Sequence, residues 1–245
     1  MRIDVAREND IMKTTTDAFK NCASALLQAW EEEAASGNSD SEALIASLHG
    51  RLTANMVLVK TDTSSKRPAD FMMQFLHRYN MPSAILEGGD PQRDQKFSEF
   101  RDQGYLYSTV VPIYRSVIAS RKPYADRVTT KLTGYHILFD RLLVPEPVAE
   151  CRPRWCLSLS EIRCILPVPH GYPEMDIEDI KVLQLLREGD SARDIGEKIG
   201  CSRRTVEGRI ERLRKRFGAR NVAHLIAMSV THAFDMDRPI RLSPI

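Results

Sequence analysis

Eight basic side chains crowd into positions 203–220, namely Arg203, Arg204, Arg209, Arg212, Arg214, Lys215, Arg216 and Arg220, against only Glu207 and Glu211. A guanidinium presents a planar fork of donors that fits a phosphate or the edge of a guanine, so this cluster is chemistry for a polyanion. The surplus is local, because the whole chain of 245 residues carries a formal charge of only +2. Nothing comparable points to catalysis. Six histidines are scattered, and no H-E-x-x-H, G-x-S-x-G or phosphate-cradling glycine loop is present. The reading is therefore a binding protein and not an enzyme, with no cofactor expected. Cys151, Cys156, Cys164 and His170 do not have the spacing of a common zinc module, so no metal is expected either.

The cluster needs a helix to display it. Val206, Ile210, Leu213 and Phe217 fall at i, i+4, i+7 and i+11, which is one buried stripe. Opposite lie Arg204, Gly208, Glu211 and Lys215. Arg209, Arg212 and Arg216 form one shoulder, Arg203, Glu207 and Arg214 the other. Ser202 is the expected N-cap, accepting from the amide of Thr205, and Gly200 is the left-handed residue that ends the preceding helix. That preceding helix starts at Ser191 with Asp194 as a capping-box partner and buries Ala192, Ile195 and Ile199. An earlier helix, 177–187, is expected to bury Ile180, Leu183 and Leu186. A last one, 222–233, would present Val222, Leu225, Ile226 and Ser229. Four short helices form a small all-α bundle whose third helix is free to enter a major groove.

The order G-x-S-x-x-x-I-x-x-x-x-G-x-S-x-x-T-V followed by K-R-F-G-A-R-N-x-A-H-L resembles the C-terminal helix-turn-helix domain of LuxR-type (FixJ/NarL-type) bacterial transcriptional regulators. The resemblance implies that Thr205 contacts a phosphate and that positions 207, 208 and 211 face base edges. The chain departs from the usual pattern there, with Glu207, Gly208 and Glu211 where a basic residue is common. Glu211 either accepts from a cytosine or pairs with Lys215 one turn on, and the ion pair is the preferred reading. Gly208 lowers helix propensity, which points to a close approach of the helix backbone to the duplex. Arg209, Arg212 and Arg216 read as phosphate clamps, and Arg203 or Arg204 as the guanine readers.

The remaining chain divides by composition. Residues 1–60 read as an N-terminal helical segment, with Phe19, Cys22, Leu26, Leu27 and Trp30 at helical spacing and a second helix over 42–60; the first helix is either structural or dimerising. Residues 61–166 read as an α+β domain with a helix over 110–120 and strands around 135–145 and 155–166, while 71–79 reads as helical or mixed. Residues 167–174 lie in the proline-rich stretch L-P-V-P-H-G-Y-P-E, expected to be a stiff linker to the domain at 175–245. The segments P-I-Y-R-S-V-I-A-S-R-K-P-Y, G-Y-H-I-L-F-D-R-L-L-V-P and W-C-L-S-L-S-E-I-R-C-I-L-P are similar to the latter half of PAS-type sensor domains. The acidic pair and lysine of a phospho-acceptor receiver are missing. For the acyl-homoserine-lactone class only Trp30 and Trp155 are present, and Trp30 is followed by three glutamates.

The expected protein is a cytoplasmic regulator with no membrane span and reduced cysteines, acting as a dimer with itself or a related chain on an imperfect palindrome of double-stranded DNA. A small-molecule ligand would meet Tyr135, Phe139, Arg141, Trp155 and Arg163, although core packing and salt bridging are the preferred reading of these residues. Two alternatives stay open: a lactone receptor of the quorum-sensing type, and a module that titrates another regulator because Glu207 and Glu211 cripple the DNA face.

Overall fold

The computed structural model describes residues 16–80, 90–132, 134–148, 150–168 and 175–236, the side chains of 231–236 excepted. These form two compact units, broadly before and after Ile165, with residues 134–136 grouped with the second. In the first unit a six-stranded sheet has the order β3-β2-β1-β6-β5-β4, from Gln95–Lys96 (β3), Met72–His77 (β2), Met56–Asp62 (β1), Trp155–Pro167 (β6), Tyr135–Pro145 (β5) and Tyr124–Leu132 (β4). β1 runs antiparallel to both β2 and β6, with Met56 opposite Glu161 and Asp62 opposite Trp155. The α+β expectation is met.

Both faces of this sheet are covered. On one, helix α1 (Asp17–Ser36) and the short α2 (Ser41–Ala46) bury Phe19, Cys22, Leu26 and Leu44 against Met56, Leu58, Leu142, Val144, Trp155 and Leu157. Burying a large aliphatic or aromatic side chain is worth about 2 kcal/mol, so this face alone anchors the amino-terminal helices. The start of α1 is pinned by Thr16, whose hydroxyl accepts from the Phe19 amide and donates to the Glu161 carboxylate at 2.8 Å. Further along, the Trp30 indole donates to the Pro145 carbonyl at 2.7 Å. The apolar stripe of α1 is thus spent on its own sheet, which favours the structural reading over the dimerising one.

On the other face lie α3 (Gln103–Tyr105), a π turn (Leu106–Val110) and α4 (Val111–Ser120), packing Leu106, Val111, Tyr114 and Val117 onto Val57, Val59, Leu143 and Cys156. Phe71, Phe97 and Tyr114 meet here, the Phe97 ring edge-on to both partners at 5.4 Å between centroids.

One expectation is corrected, and two strands were not read from the sequence. The helix over 42–60 stops at Ala46, and Met56 begins the central strand β1, so the described residues 16–60 pack with the sheet and do not stand apart from it. Met-Val-Leu-Val is buried on both sides, and a continuous apolar run of that length fits a helix or a two-sided strand equally. Residues 72–77 are a strand, and β4 was not foreseen. Of the expected linker, residues 169–174 lie outside the described residues, while the described part continues β6 to Pro167.

The second unit holds helices α5 (Ile177–Arg187), α6 (Ala192–Ile199), α7 (Arg203–Arg216) and α8 (Val222–Met236). Val182, Leu183, Leu186, Ile195, Val206, Ile210, Leu213, Phe217, Leu225 and Met228 make its core. Ile180, expected inside, is exposed, and so is Val222 of α8. α5 is rotated so that Asp179 and Val182 turn inward instead, for a reason found on α7. Arg187 of α5 ties α8, its Nε donating to the Ser229 hydroxyl at 3.0 Å and its Nη2 to the Ser229 carbonyl.

Candidate nucleic-acid interface

α7 begins where the sequence places it. Ser202 accepts from the Thr205 amide at 3.1 Å, and the two hydroxyls lie 2.9 Å apart. Upstream, the Ser191–Asp194 capping box is formed and Gly200 takes the left-handed conformation at φ 74°. Gly196 was missed. A Cβ there would stand 2.6 Å from the Cys201 carbonyl, so the turn between the two helices closes directly over it. A glycine inside an amphipathic helical pattern was the signal that could have found it.

The buried stripe holds, with Val206, Ile210, Leu213 and Phe217 all inside. Ser202, Arg203, Arg204, Thr205, Glu207, Gly208, Glu211, Arg212, Lys215 and Arg216 are all exposed, so one helix surface carries almost the whole expected set. Arg209 is the exception, half-buried with its Nη1 within 3.0 Å of Asp176 and 2.9 Å of Asp179. Asp179 is itself buried and also takes Arg216 at 3.1 Å. This explains the rotation of α5: its first turn offers two carboxylates to α7. The hydrogen bond from Arg209 holds the Asp176 carboxyl below the usual aspartate range, helped by the Asp179 amide. Arg209 and Arg216 therefore brace the helix against α5.

The two glutamates are matched on α7 itself. Arg203 meets Glu207 at 2.7 Å. Glu211 forms an ion pair, as preferred, but its main partner is Arg214 at 2.7 Å, with Lys215 at 3.8 Å. Three residues on, Arg214 can reach both carboxylate oxygens, and it holds the Glu211 carboxyl below the usual range. Arg204 and Arg212 carry no hydrogen bond or ion pair among the described residues. They are the cations this surface leaves available.

The five ligand candidates have different neighbours. Trp155 packs on the α1 face. Arg163 lies 3.1 Å from Glu161 and 3.9 Å from Asp140. Tyr135 falls at the start of β5, in the stretch grouped with the second unit. Phe139 and Arg141 do come together, the guanidinium carbon 5.9 Å from the ring centroid. Among the described residues no group of three or more His, Cys, Asp or Glu could hold a metal ion, and no helix is long and apolar enough to cross a membrane.

No curated protein matches the sequence. Among solved structures, the chain is similar to a Vibrio cholerae VqmA dimer described in the absence of target DNA, at 18% identity, TM-score 0.33, covering 78% of this chain and 87% of that one. VqmA bound to DPO is similar at 17% identity, TM-score 0.30 and the same coverage. Escherichia coli SdiA is similar at 13% identity and TM-score 0.25, covering 93% and 97%. Residues 178–229, from the second residue of α5 into α8, match the family described as bacterial regulatory proteins, luxR family, and this segment is a LuxR-family helix-turn-helix domain.

Proposed function

We propose that the chain is a sequence-specific DNA-binding transcriptional regulator, in which α7 enters the major groove and the first unit acts as sensor and dimerisation domain. The observation that carries the reading is the outward surface of α7. It is exposed, continuous and capped, it holds Arg204 and Arg212 without protein partners, and its two glutamates are each matched by a cation on the same helix. A surplus of positive charge displayed on one helix behind a turn is what a duplex with its phosphate rows recognises. Arg204, in the first turn, stands where base edges are read; Arg212, two turns on, stands where a phosphate is met. Thr205 and the Ser202 hydroxyl complete the amino-terminal end of the helix toward the backbone. Two copies would present α7 to successive major grooves of an imperfect palindrome.

Selection of bound duplexes from a random pool, followed by titration of the selected and a scrambled duplex, tests this. Wild type should prefer the selected duplex. Arg204→Ala should lose that preference, a change of about 1–3 kcal/mol in discrimination. Arg212→Ala should weaken both duplexes alike. A wild-type protein that shows no mobility shift with any duplex at low ionic strength ends the reading.

A further inference from the structure

Of the two glutamates on α7, only one keeps an oxygen to offer. Glu211 is fully engaged: Arg214 donates from Nε to its Oε2 at 2.8 Å and from Nη2 to its Oε1 at 2.7 Å, with the Lys215 ammonium 3.8 Å away. Arg214 is in turn fastened to the end of the helix, its Nη1 donating to the Ala219 carbonyl at 3.2 Å and the Arg220 carbonyl at 3.3 Å. Glu207 is held differently. Arg203 donates from Nε to its Oε1 at 2.7 Å, and no other hydrogen bond reaches either side chain among the described residues. The Glu207 Oε2 and both terminal nitrogens of Arg203 are therefore open, on two exposed side chains.

Helix stability is a weak reason for this pair. Arg203 and Arg204 open the first turn of α7, which holds no acidic residue, so two cations face the positive end of the helix macrodipole. An i, i+4 ion pair also supports a helix better when the carboxylate is the amino-terminal member, and here the order is reversed.

The pair does present a row of hydrogen-bonding groups: the donors of the guanidinium fork, then an acceptor on the carboxylate. The major-groove edge of a guanine–cytosine pair is its complement, with guanine N7 and O6 accepting and cytosine N4 donating. An adenine–thymine pair reads acceptor, donor, acceptor, and would set the adenine amino group against the fork and the thymine oxygen against the carboxylate. A reversed cytosine–guanine pair fails in the same way. Gly208 follows directly, with no protein atom within 4 Å of the place a Cβ would occupy, so the helix backbone can come near enough for a side chain as short as glutamate to reach a base.

We propose that Arg203 and Glu207 act as one unit that reads a single guanine–cytosine pair in a fixed orientation, Arg203 donating to the guanine and Glu207 accepting from the cytosine amino group. The assignment rests on the DNA-binding reading of α7 and deepens it with a specificity element separate from Arg204. A carboxylate between two rows of phosphates is repelled unless a donor meets it, so on any other base pair Glu207 opposes binding.

Duplexes are selected from a random pool by wild type, Glu207→Ala and Glu211→Gln. Each cytosine of the wild-type motif is then replaced in turn by pyrimidin-2-one, which lacks only the N4 amino group. Wild type should lose about tenfold in affinity at the cytosine of one motif column, and Glu207→Ala less than twofold at the same place. The lost Watson–Crick bond is common to both proteins, so the difference between them isolates the carboxylate. Replacing the guanine of that pair by 7-deazaguanine should weaken wild type but not Arg203→Ala. The motif selected by Glu207→Ala should lose its preference in that column alone, and Glu211→Gln should leave every column as in wild type. A Glu207→Ala motif unchanged in all columns, equal losses on pyrimidin-2-one in both proteins, a column altered by Glu211→Gln in its place, or loss of all duplex binding by Glu207→Ala overturns the assignment. A wild type that binds no duplex removes the regulator reading itself, whereas a wild-type motif indifferent to Glu207 removes this unit alone.

Discussion

Gly208 sits on the exposed arc of α7 with no protein atom within 4 Å of the place a Cβ would occupy. Nothing inside the protein requires a glycine there, in contrast to Gly196, where the Cys201 carbonyl leaves no room. Its helical conformation is ordinary too, so an external requirement is the remaining explanation. Gly208→Ala should stabilise α7 by roughly 1 kcal/mol, seen as a raised Tm, while lowering duplex affinity at least tenfold, because the added methyl stands between the helix backbone and the groove. A raised Tm with unchanged affinity would remove the close approach from the account. The arginines divide in the same manner. Arg209 and Arg216 were expected to clamp phosphates, yet their guanidiniums are engaged by Asp176 and Asp179 across a helix packing boundary. Arg204 and Arg212 have equal charge and no such engagement. Identical residue types on one helix thus acquire different work from what lies behind them, and spacing alone does not reveal that.

Between elements, the turn joining β5 to β6 is held by a buried carboxylate. Glu146 accepts from the Arg154 amide at 2.6 Å and from its guanidinium Nη2 at 2.8 Å. Burial pushes the Glu146 carboxyl up, but the Arg154 hydrogen bonds and charge outweigh it and leave it below the usual glutamate value. A carboxyl lowered in the folded state contributes stability above its unfolded value, about 4.3, and that contribution is lost as pH falls through the lower folded value. Glu146→Gln should therefore destabilise the first unit by about 2 kcal/mol at pH 7, with the gap from wild type closing below about pH 4. A gap in Tm that persists unchanged to acid pH would place the effect in packing. Elements whose causes are local were legible in advance: the caps at Ser191 and Ser202, the left-handed Gly200 and the single apolar stripe of α7 all lie within a few residues of what they determine. β4 was illegible for the opposite reason. Its Tyr-Ala-Asp-Arg-Val-Thr-Thr-Lys-Leu has polar residues on both faces, because Asp126 pairs with Arg141 on one side of the sheet and Arg127 with Asp140 on the other. Those partners sit in another strand, so no period within β4 records them. The same holds for Arg141: it was singled out with Phe139 as a candidate, but its partner Asp126 comes from a neighbouring strand whose approach only the fold supplies.

For the molecule as a whole, charge is distributed by unit. Residues 175–245 hold 14 Lys and Arg against 11 Asp and Glu, while the preceding 174 are close to neutral. The excess is further concentrated on the surface of α7, so duplex affinity should fall steeply with salt, since each phosphate contact releases counterions and contributes about −0.9 to the slope of log K against log salt. That coefficient turns one substitution into a count of protomers. Arg212→Ala removes one phosphate contact per copy, so the slope should become shallower by about 1.8 if two copies sit on the duplex and by about 0.9 if one does. Arg209→Met supplies the contrast. Its charge is matched by Asp176 and Asp179 inside the protein, so the substitution should lower Tm while leaving the slope within error of wild type. Both slopes are read from titrations of one duplex between low and physiological salt. A change of about 1.8 on Arg212→Ala supports the palindromic dimer; a change of about 0.9 assigns a single copy to the duplex. An equal change on Arg209→Met would mean that the carboxylates of α5 release their arginine to the phosphates on binding, and the bracing role assigned to them would fall.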